Sequence, residues 1–290
     1  MAQQPVWLIP LAAAVVYLLL FLLERRFPLR SATRSVGRRV GVNAVITSLA
    51  LGTAAITVSP AVEYLLGLSP EPQFGLLGVL NLPVALELGI AFVLFDWSFY
   101  WWHRANHHVP LLWRFHNVHH VDPDLDVTTA FRFHAVEIGY SAAFRAIQIL
   151  LIGPAAWMYF MYELVFISGT LFHHSNVKLP LQTERALNKA FVTPRMHGIH
   201  HSNVRRETNS DYSTVLSCWD RLHGTIRLNV EQEQIRIGVP GYTLEEDNRP
   251  LSLLQMPFKD QRPYWLDQDG IARYDRPDAH TAGQVNAMQG

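Results

Sequence analysis

The hydrophobic and polar positions divide the chain into two unlike parts. VWLIPLAAAVVYLLLFLL, at 6–23, is 18 residues without a charge, within the ~17–25 that cross a ~30 Å hydrocarbon core. It predicts a transmembrane helix. The preceding MAQQP has no Lys or Arg and ERRF follows the apolar run, unlike a secretory signal with a basic start and a small-residue cleavage site, so a retained anchor is expected. A second apolar segment runs from about Val42 to Leu68, and a third from about Pro83 to Trp102. The third ends in WSFYWW, whose amphipathic rings suit the headgroup level. From Val136 to Phe172 the chain is again apolar, interrupted by Arg145 and by Gly153-Pro154. Its halves suit a helical hairpin that enters or crosses the membrane and turns at Gly-Pro. Beyond Ser175 charged residues become frequent and no segment is long and apolar enough to span. From about Asp267 the chain is polar and aperiodic, and a mobile tail is expected.

Charge orients this pattern. ERRFPLRSATRSVGRR (24–39) holds six arginines against one glutamate. The positive-inside rule places that loop in the cytoplasm and the N-terminus outside. The expected fold is all-α: an integral membrane helical bundle of about four spans, one of them a hairpin, with a cytosolic histidine-rich helical cap. The expected divisions are anchor helices at 1–95, a histidine-rich region at 96–230 that includes the hairpin at about 136–172, and a cytosolic C-terminal segment at 231–290. A formal net charge of zero with 17% charged residues gives no basic surface for nucleic acid. The single cysteine, Cys218, excludes an internal disulfide and a CxxC site. A metal would have to be held by nitrogen and oxygen.

The candidate chemistry lies in the histidines. Twelve of 14 fall between 103 and 201. HRANH spaces His103 and His107 at i and i+4; HNVHH spaces His116, His119 and His120 at i, i+3 and i+4; HGIHH repeats that spacing at His197, His200 and His201. Residues three and four apart share a helix face, so each box offers several imidazoles to one region. All three boxes fall on the cytoplasmic side of the expected topology. Eight such imidazoles exceed one tetrahedral ion and imply two metals. Neutral nitrogen ligands suit iron, zinc and copper, and the residues alone leave that choice open. No HExxH or paired ExxH motif is present, which argues against a zincin or a carboxylate-bridged bundle.

With these boxes in this order, the chain resembles the fatty acid hydroxylase and sterol desaturase superfamily of membrane-bound di-iron enzymes. The resemblance runs from Asp96 to Thr225: DWSFYWWHRANHHVPLLWRFHNVHH carries the first two boxes, FRFHAVE an Arg-x-His-x-x-Glu element, HSN at 174–176 an intermediate histidine, TPRMHGIHHS the third box and NSDYSTVLSCWDRLHGT the closing element. It implies His103, His107, His116, His119, His120, His174, His197, His200 and His201 as metal ligands, with His134 and His173 as further candidates. His223 stands where the family has an aromatic residue, and is expected to line the site. Metal-bound imidazoles commonly donate their second N–H to a carboxylate, which nominates Asp96, Glu137, Asp211 and Asp220 as supporting groups. Arg145 is expected to pair with Glu137 or Glu163, or to meet a lipid headgroup.

The resemblance implies two iron ions, with zinc as the alternative occupant, and O2 as co-substrate for hydroxylation of a fatty acyl, sterol or related isoprenoid C–H bond. Desaturation at the same site is one alternative, and a zinc-binding membrane transporter or scaffold is another of a different class. The expected partners are a lipid drawn from the membrane and a separate electron donor (ferredoxin, cytochrome or reductase), since no flavin, nicotinamide or HPGG haem-binding fingerprint is seen.

Overall fold

The computed structural model describes residues 8–67, 75–80 and 82–276. Among these the regular elements are helical, and β-structure is limited to isolated bridges. α1 (Leu8–Arg26) ends on Arg25 and Arg26, whose charges complement the negative end of the helix dipole. α2 (Val36–Ile56) and α3 (Val58–Gly67) together form the second apolar segment, interrupted at Thr57. Pro60 has no N–H to offer the Ile56 carbonyl, and the Thr57 hydroxyl bonds back to the Thr53 carbonyl at 2.7 Å. The short α4 (Gly75–Leu80) follows.

α5 (Val84–His108) continues past the expected end at Trp102, so the first histidine box occupies the last turns of the span itself. The expected division at 95/96 therefore falls inside one continuous helix. Pro110 stops α5 by forcing Val109 into extended backbone, then starts α6 (Pro110–His120) at its first position. One proline thus sets two histidine boxes on two helices meeting at a corner. The hairpin is α7 (Ala135–Ile152) and α8 (Ala156–His174). It turns at Gly153, which adopts φ 69° with its N–H on the Ile149 carbonyl, a left-handed cap suited to glycine. The remainder is short: α9 (Leu181–Leu187), α10 (Pro194–His200), α11 (Arg205–Thr208), α12 (Cys218–His223) and α13 (Pro250–Gln255).

Three described helical segments, Val36–Gly67, Val84–His108 and Ala135–Ile152, are long and apolar enough to cross a membrane. The chain is a membrane protein by this pattern. Outward-facing Leu11, Val15, Leu22, Leu51, Ile147 and Leu151 remain exposed, a surface that suits hydrocarbon, where helices satisfy their own backbone. Inside, Phe95, Phe99, Ile149, Tyr159 and Tyr162 form the core among α3, α5, α7 and α8. A second cluster, Ile46, Trp113, Val118, Leu253 and Met256, joins α2, α6 and α13.

Polar contacts lock the helix ends to the cap. Buried Asp122, just after α6, accepts from Arg39 at 2.9 Å, Asn43 at 2.9 Å and Thr129 at 2.8 Å. Asp126 pairs with Arg25 and Arg39. Arg132, fully buried, donates to the Val118 carbonyl, Asn43 and Asn248 at 2.9, 2.8 and 2.7 Å. Burial alone would push the Asp122 carboxyl up, but Arg39 and Arg132 outweigh it and hold the group below the usual carboxylate range.

The tail expected from about Asp267 is corrected over its first ten residues. Asp267 pairs with Arg273 at 2.8 Å, and Arg276 with Glu207 at 2.8 Å, which fastens the segment to the cap beside α10. Residues 277–290, the rest of that expectation, lie outside the described residues, as do 1–7.

Asp122→Ala should destabilise the protein by about 3–5 kcal/mol because it leaves the buried Arg132 guanidinium without a carboxylate and Arg39 with Asp126 alone. The exposed Asp260→Ala should stay within ~0.5 kcal/mol. Unfolding in mixed SDS micelles measures both. Since the Asp122 pKa is depressed on folding, its contribution is present at neutral pH and is lost as pH falls through the folded value.

Candidate metal centre

Four helix ends meet in the layer above the hydrophobic core: the C-terminal turns of α5 and α8, and the whole of α6 and α10. Their histidines form two quartets. His103, His107, His120 and His200 form one, and His119, His174, His197 and His201 the other, with the ligand nitrogens of each set within 4.8 Å of one another. Helix geometry explains the division. At ~100° per residue, His119 and His120 point about 100° apart on α6, so each serves a different quartet. On α10 the adjacent His200 and His201 separate in the same way.

The donor atoms fit a metal better than one another. In the second quartet the Nε2 atom of His174 lies 3.1 Å from that of His119 and 3.0 Å from that of His197, and the Nε2 atoms of His197 and His201 are 3.2 Å apart. A tetrahedral ion with N ligands at ~2.0–2.1 Å requires N···N edges of roughly 3.3 Å. His174 donates its Nδ1–H to the Thr170 carbonyl at 2.8 Å. Its Nε2 therefore carries a lone pair and no proton. In the first quartet, His103 and His200 donate Nδ1–H to the carbonyls of Tyr212 and Ser210 at 2.8 and 2.7 Å. The Nε2 atoms of His120 and His200 and both nitrogens of His107 are buried without protein partners. Burial, and after it the neighbouring imidazoles, push His119, His120, His197, His200 and His201 well below the usual histidine pKa. These rings are neutral at physiological pH, the form that ligates.

The supporting contacts differ from the sequence expectation in an instructive way. Glu137 alone of the four nominated carboxylates meets an imidazole, accepting from His116 Nδ1 at 2.8 Å. Asp220 accepts from the backbone N–H groups of Tyr212 and Ser213, both at 2.8 Å, and so holds the carbonyl that orients His103. Asp211, at φ 53°, accepts from the Arg227 N–H at 2.8 Å and fixes the strand of backbone carrying the Ser210 carbonyl. Burial and the nearby Asp220 push its carboxyl well above the usual range. Asp96 is corrected: it accepts from the Val215 and Leu216 N–H groups at 3.2 and 3.0 Å and from the Trp219 indole at 2.7 Å, reaching no imidazole. It ties the 215–219 segment to α5.

Three expected or candidate ligands fall outside the quartets. The His116 ring sits between them, 5.0–5.3 Å from those of His103, His107, His119 and His120, with its Nε2 buried and unpartnered. His173 packs on His197, ring centroids 4.1 Å apart. His134 is a helix cap: its Nδ1 accepts from the Val136 N–H and its Nε2 donates to the Leu254 carbonyl, both at 3.1 Å, leaving no free donor atom. His223, expected to line the site, instead stacks on Tyr100 at 4.8 Å and lies away from both quartets.

Aromatic residues not nominated from the sequence wall the centre. Phe133 stacks on His119 at 4.6 Å, and Trp113 and Tyr212 pack on His107 at 4.9 and 5.3 Å. Gly198, between His197 and the closing pair, gives room to the Arg30 guanidinium, which a Cβ there would force to shift. Arg30 reaches over α10 to the Gln232 side chain at 2.6 Å. Beneath the histidines, a cavity of about 390 Å³ runs between the hairpin, α5 and the α2–α3 junction. His103, His116, His119, His174 and His197 face it at one end, and Phe99, Phe166 and Ile167 line its apolar walls.

The geometry agrees with a known grouping, since residues 88–225, which contain both quartets, match the fatty acid hydroxylase family. The chain is similar to an ornithine lipid hydroxylase of Rhizobium tropici, 31% identical over 55% of this chain and 47% of that protein. It is also similar to the alkylglycerol monooxygenase of Homo sapiens, 29% identical over 51% of this chain and 32% of that protein. A third relative, the cholesterol 25-hydroxylase of Homo sapiens, is 27% identical over 47% of this chain and 49% of that protein. The matches thus span half or less of these relatives. No solved structure matches the chain. Within the fatty acid hydroxylase region, Arg145 pairs with Glu163 rather than with Glu137.

Two ions per chain are expected on reconstitution with Fe(II) or Zn(II), one per quartet. His200→Ala should reduce uptake to about one ion, whereas His134→Ala should leave it at two; elemental analysis after gel filtration decides. Glu137→Gln should weaken metal retention or activity by about 10–100-fold, followed by competition with a chelator.

Proposed function

We propose that the chain is an O2-dependent di-iron membrane oxidoreductase that hydroxylates a C–H bond of a lipid. The observation that carries this reading is the pair of neutral imidazole quartets opening onto an apolar cavity between membrane helices. Two irons held there would supply the chemistry that uses O2, two electrons and two protons to convert C–H into C–OH with release of one water. The nine proposed ligands remain His103, His107, His116, His119, His120, His174, His197, His200 and His201. His116 is assigned the place between the two quartets, with its Nδ1 proton held on Glu137. The names of the relatives support lipid hydroxylation over other uses of such a site.

The protein's own contribution is positioning. Carbonyls of Thr170, Ser210 and Tyr212 hold the Nδ1 protons of His174, His200 and His103, which aims each Nε2 inward. Phe133 and Trp113 fill the space behind the rings and exclude water. The apolar cavity suits an acyl, sterol or isoprenoid chain entering from the bilayer. The arginine-rich 24–39 segment is fastened to the loop after the second box through Arg25 and Arg39. The positive-inside rule then supports a cytoplasmic site, with the electron donor a separate ferredoxin, cytochrome or reductase.

Iron-loaded protein in nanodiscs, supplied with a reductant, is expected to consume O2 and to add one oxygen to a membrane lipid, read by mass spectrometry. His200→Ala should lower turnover at least ~100-fold. Loss of two hydrogens would assign desaturation instead. Full function with zinc alone and no O2 uptake would favour a zinc transporter or scaffold and overturn the oxygenase reading.

A further inference from the structure

The cavity below the imidazoles does not end in a purely apolar wall. Arg145 of α7 and Glu163 of α8, ion-paired with each other, line its far part beside Ala54, Val58 and Ser59 at the α2–α3 junction. Their side chains are only 12% and 14% exposed. Arg145 also reaches the Tyr159 hydroxyl at 3.2 Å and lies over the rings of Phe99 and Phe166 at 4.5 and 5.2 Å. A buried ion pair adds little stability over apolar residues of the same size, because desolvation offsets the attraction. Ionisable groups within a span are costly and mark functional positions. The surrounding core of Phe95, Ile149, Met158 and Tyr162 gives no packing reason for a charged pair.

Its distance from the histidines is fixed by two helices. Arg145 follows Glu137, the residue on His116, by eight positions, or ~12 Å along α7. Glu163 precedes His174 by eleven positions, or ~16 Å along α8. A molecule filling the cavity therefore meets the imidazoles at one end and the ion pair at the other.

Resting on the lipid hydroxylase reading, we propose that Arg145 and Glu163 form a polar subsite for a hydroxyl or amide group of the lipid, and that its separation from the imidazoles selects the carbon oxidised. The pair is net neutral, with N–H donors on one side and carboxylate lone pairs on the other. A group that both donates and accepts can bridge the two without parting them. A substrate carboxylate would have to displace Glu163 and leave it unpaired, and a bare hydrocarbon would offer nothing to the donors and lone pairs that the Arg145–Glu163 contact leaves unused.

The test is photolabelling of the full chain in nanodiscs, metal-free and metal-loaded, with a long-chain alkan-1-ol carrying a diazirine. Labelled peptides should come from α7 and α8, and hexadecan-1-ol should compete at least ~10-fold better than hexadecane. The double variant Arg145→Met with Glu163→Leu replaces the pair by apolar groups and should abolish that preference. Glu163→Gln, which keeps the shape, should weaken hexadecan-1-ol competition severalfold. Equal competition by the two compounds in the unaltered protein, a preference that survives the double variant, or one that Glu163→Gln leaves undiminished, overturns the subsite. The readout needs no turnover. Alcohol preference without any lipid oxidation would sink the hydroxylase reading and leave the subsite standing; oxidation without the preference would do the reverse.

Discussion

Crowding of neutral imidazoles in a buried layer is the constraint on which the rest of this structure depends. An isolated buried imidazole finds a donor and an acceptor and is satisfied. Here the second nitrogens face one another at 3.0–3.2 Å, and in His174 the Nδ1 proton is already committed to a carbonyl. Lone pairs held at that distance suit a shared cation between them. The backbone must therefore be rigid enough to keep them together, and the polar contacts around the layer provide that rigidity. Asp122 and Arg132 fix the end of α6, Asp96 and Asp220 fix the 212–219 segment, and Arg30 fixes α10 from above.

On the proposed reading, the same architecture would bring chemistry at the ends of the spans within reach of a lipid. α5 is long and apolar enough to span, α8 packs against it as the second arm of the hairpin, and the last turns of both supply imidazoles, so the histidine layer is continuous with the span of α5. The hairpin turns on Gly153 and sends α8 back to that layer. The cavity between them inherits an apolar wall from the spans and a polar ceiling from the boxes. Stability, through Phe95, Tyr159 and Tyr162, and access, through the space beside them, come from the same interface.

Much of this was legible in the sequence because period and punctuation are local. The i, i+3, i+4 spacing placed the boxes on helices, and Gly153-Pro154 marked the hairpin turn. The pairing of histidines into quartets was not legible, since it depends on how α6 and α10 rotate against α5 and α8. Proximity in sequence misled for Asp96, which is near His103 along the chain but bonds to backbone N–H groups some 120 residues away. The carbonyls of Thr170, Ser210 and Tyr212 leave no trace in residue type, because every residue has one. His134 shares its surroundings in sequence with the ligands, yet capping α7 uses one of its nitrogens and the Leu254 carbonyl the other.

Both quartets draw on α10: His200 completes one, and His197 and His201 complete the other. A ribosome releases the chain from its N-terminus, so the spans, the corner at Pro110 and the hairpin are all in place before those three imidazoles emerge. Neither quartet is complete on the nascent chain until residue 201 has left the exit tunnel. If the proposed ions bind, loading would follow insertion into the bilayer and draw on the metal of whichever compartment the cap then faces.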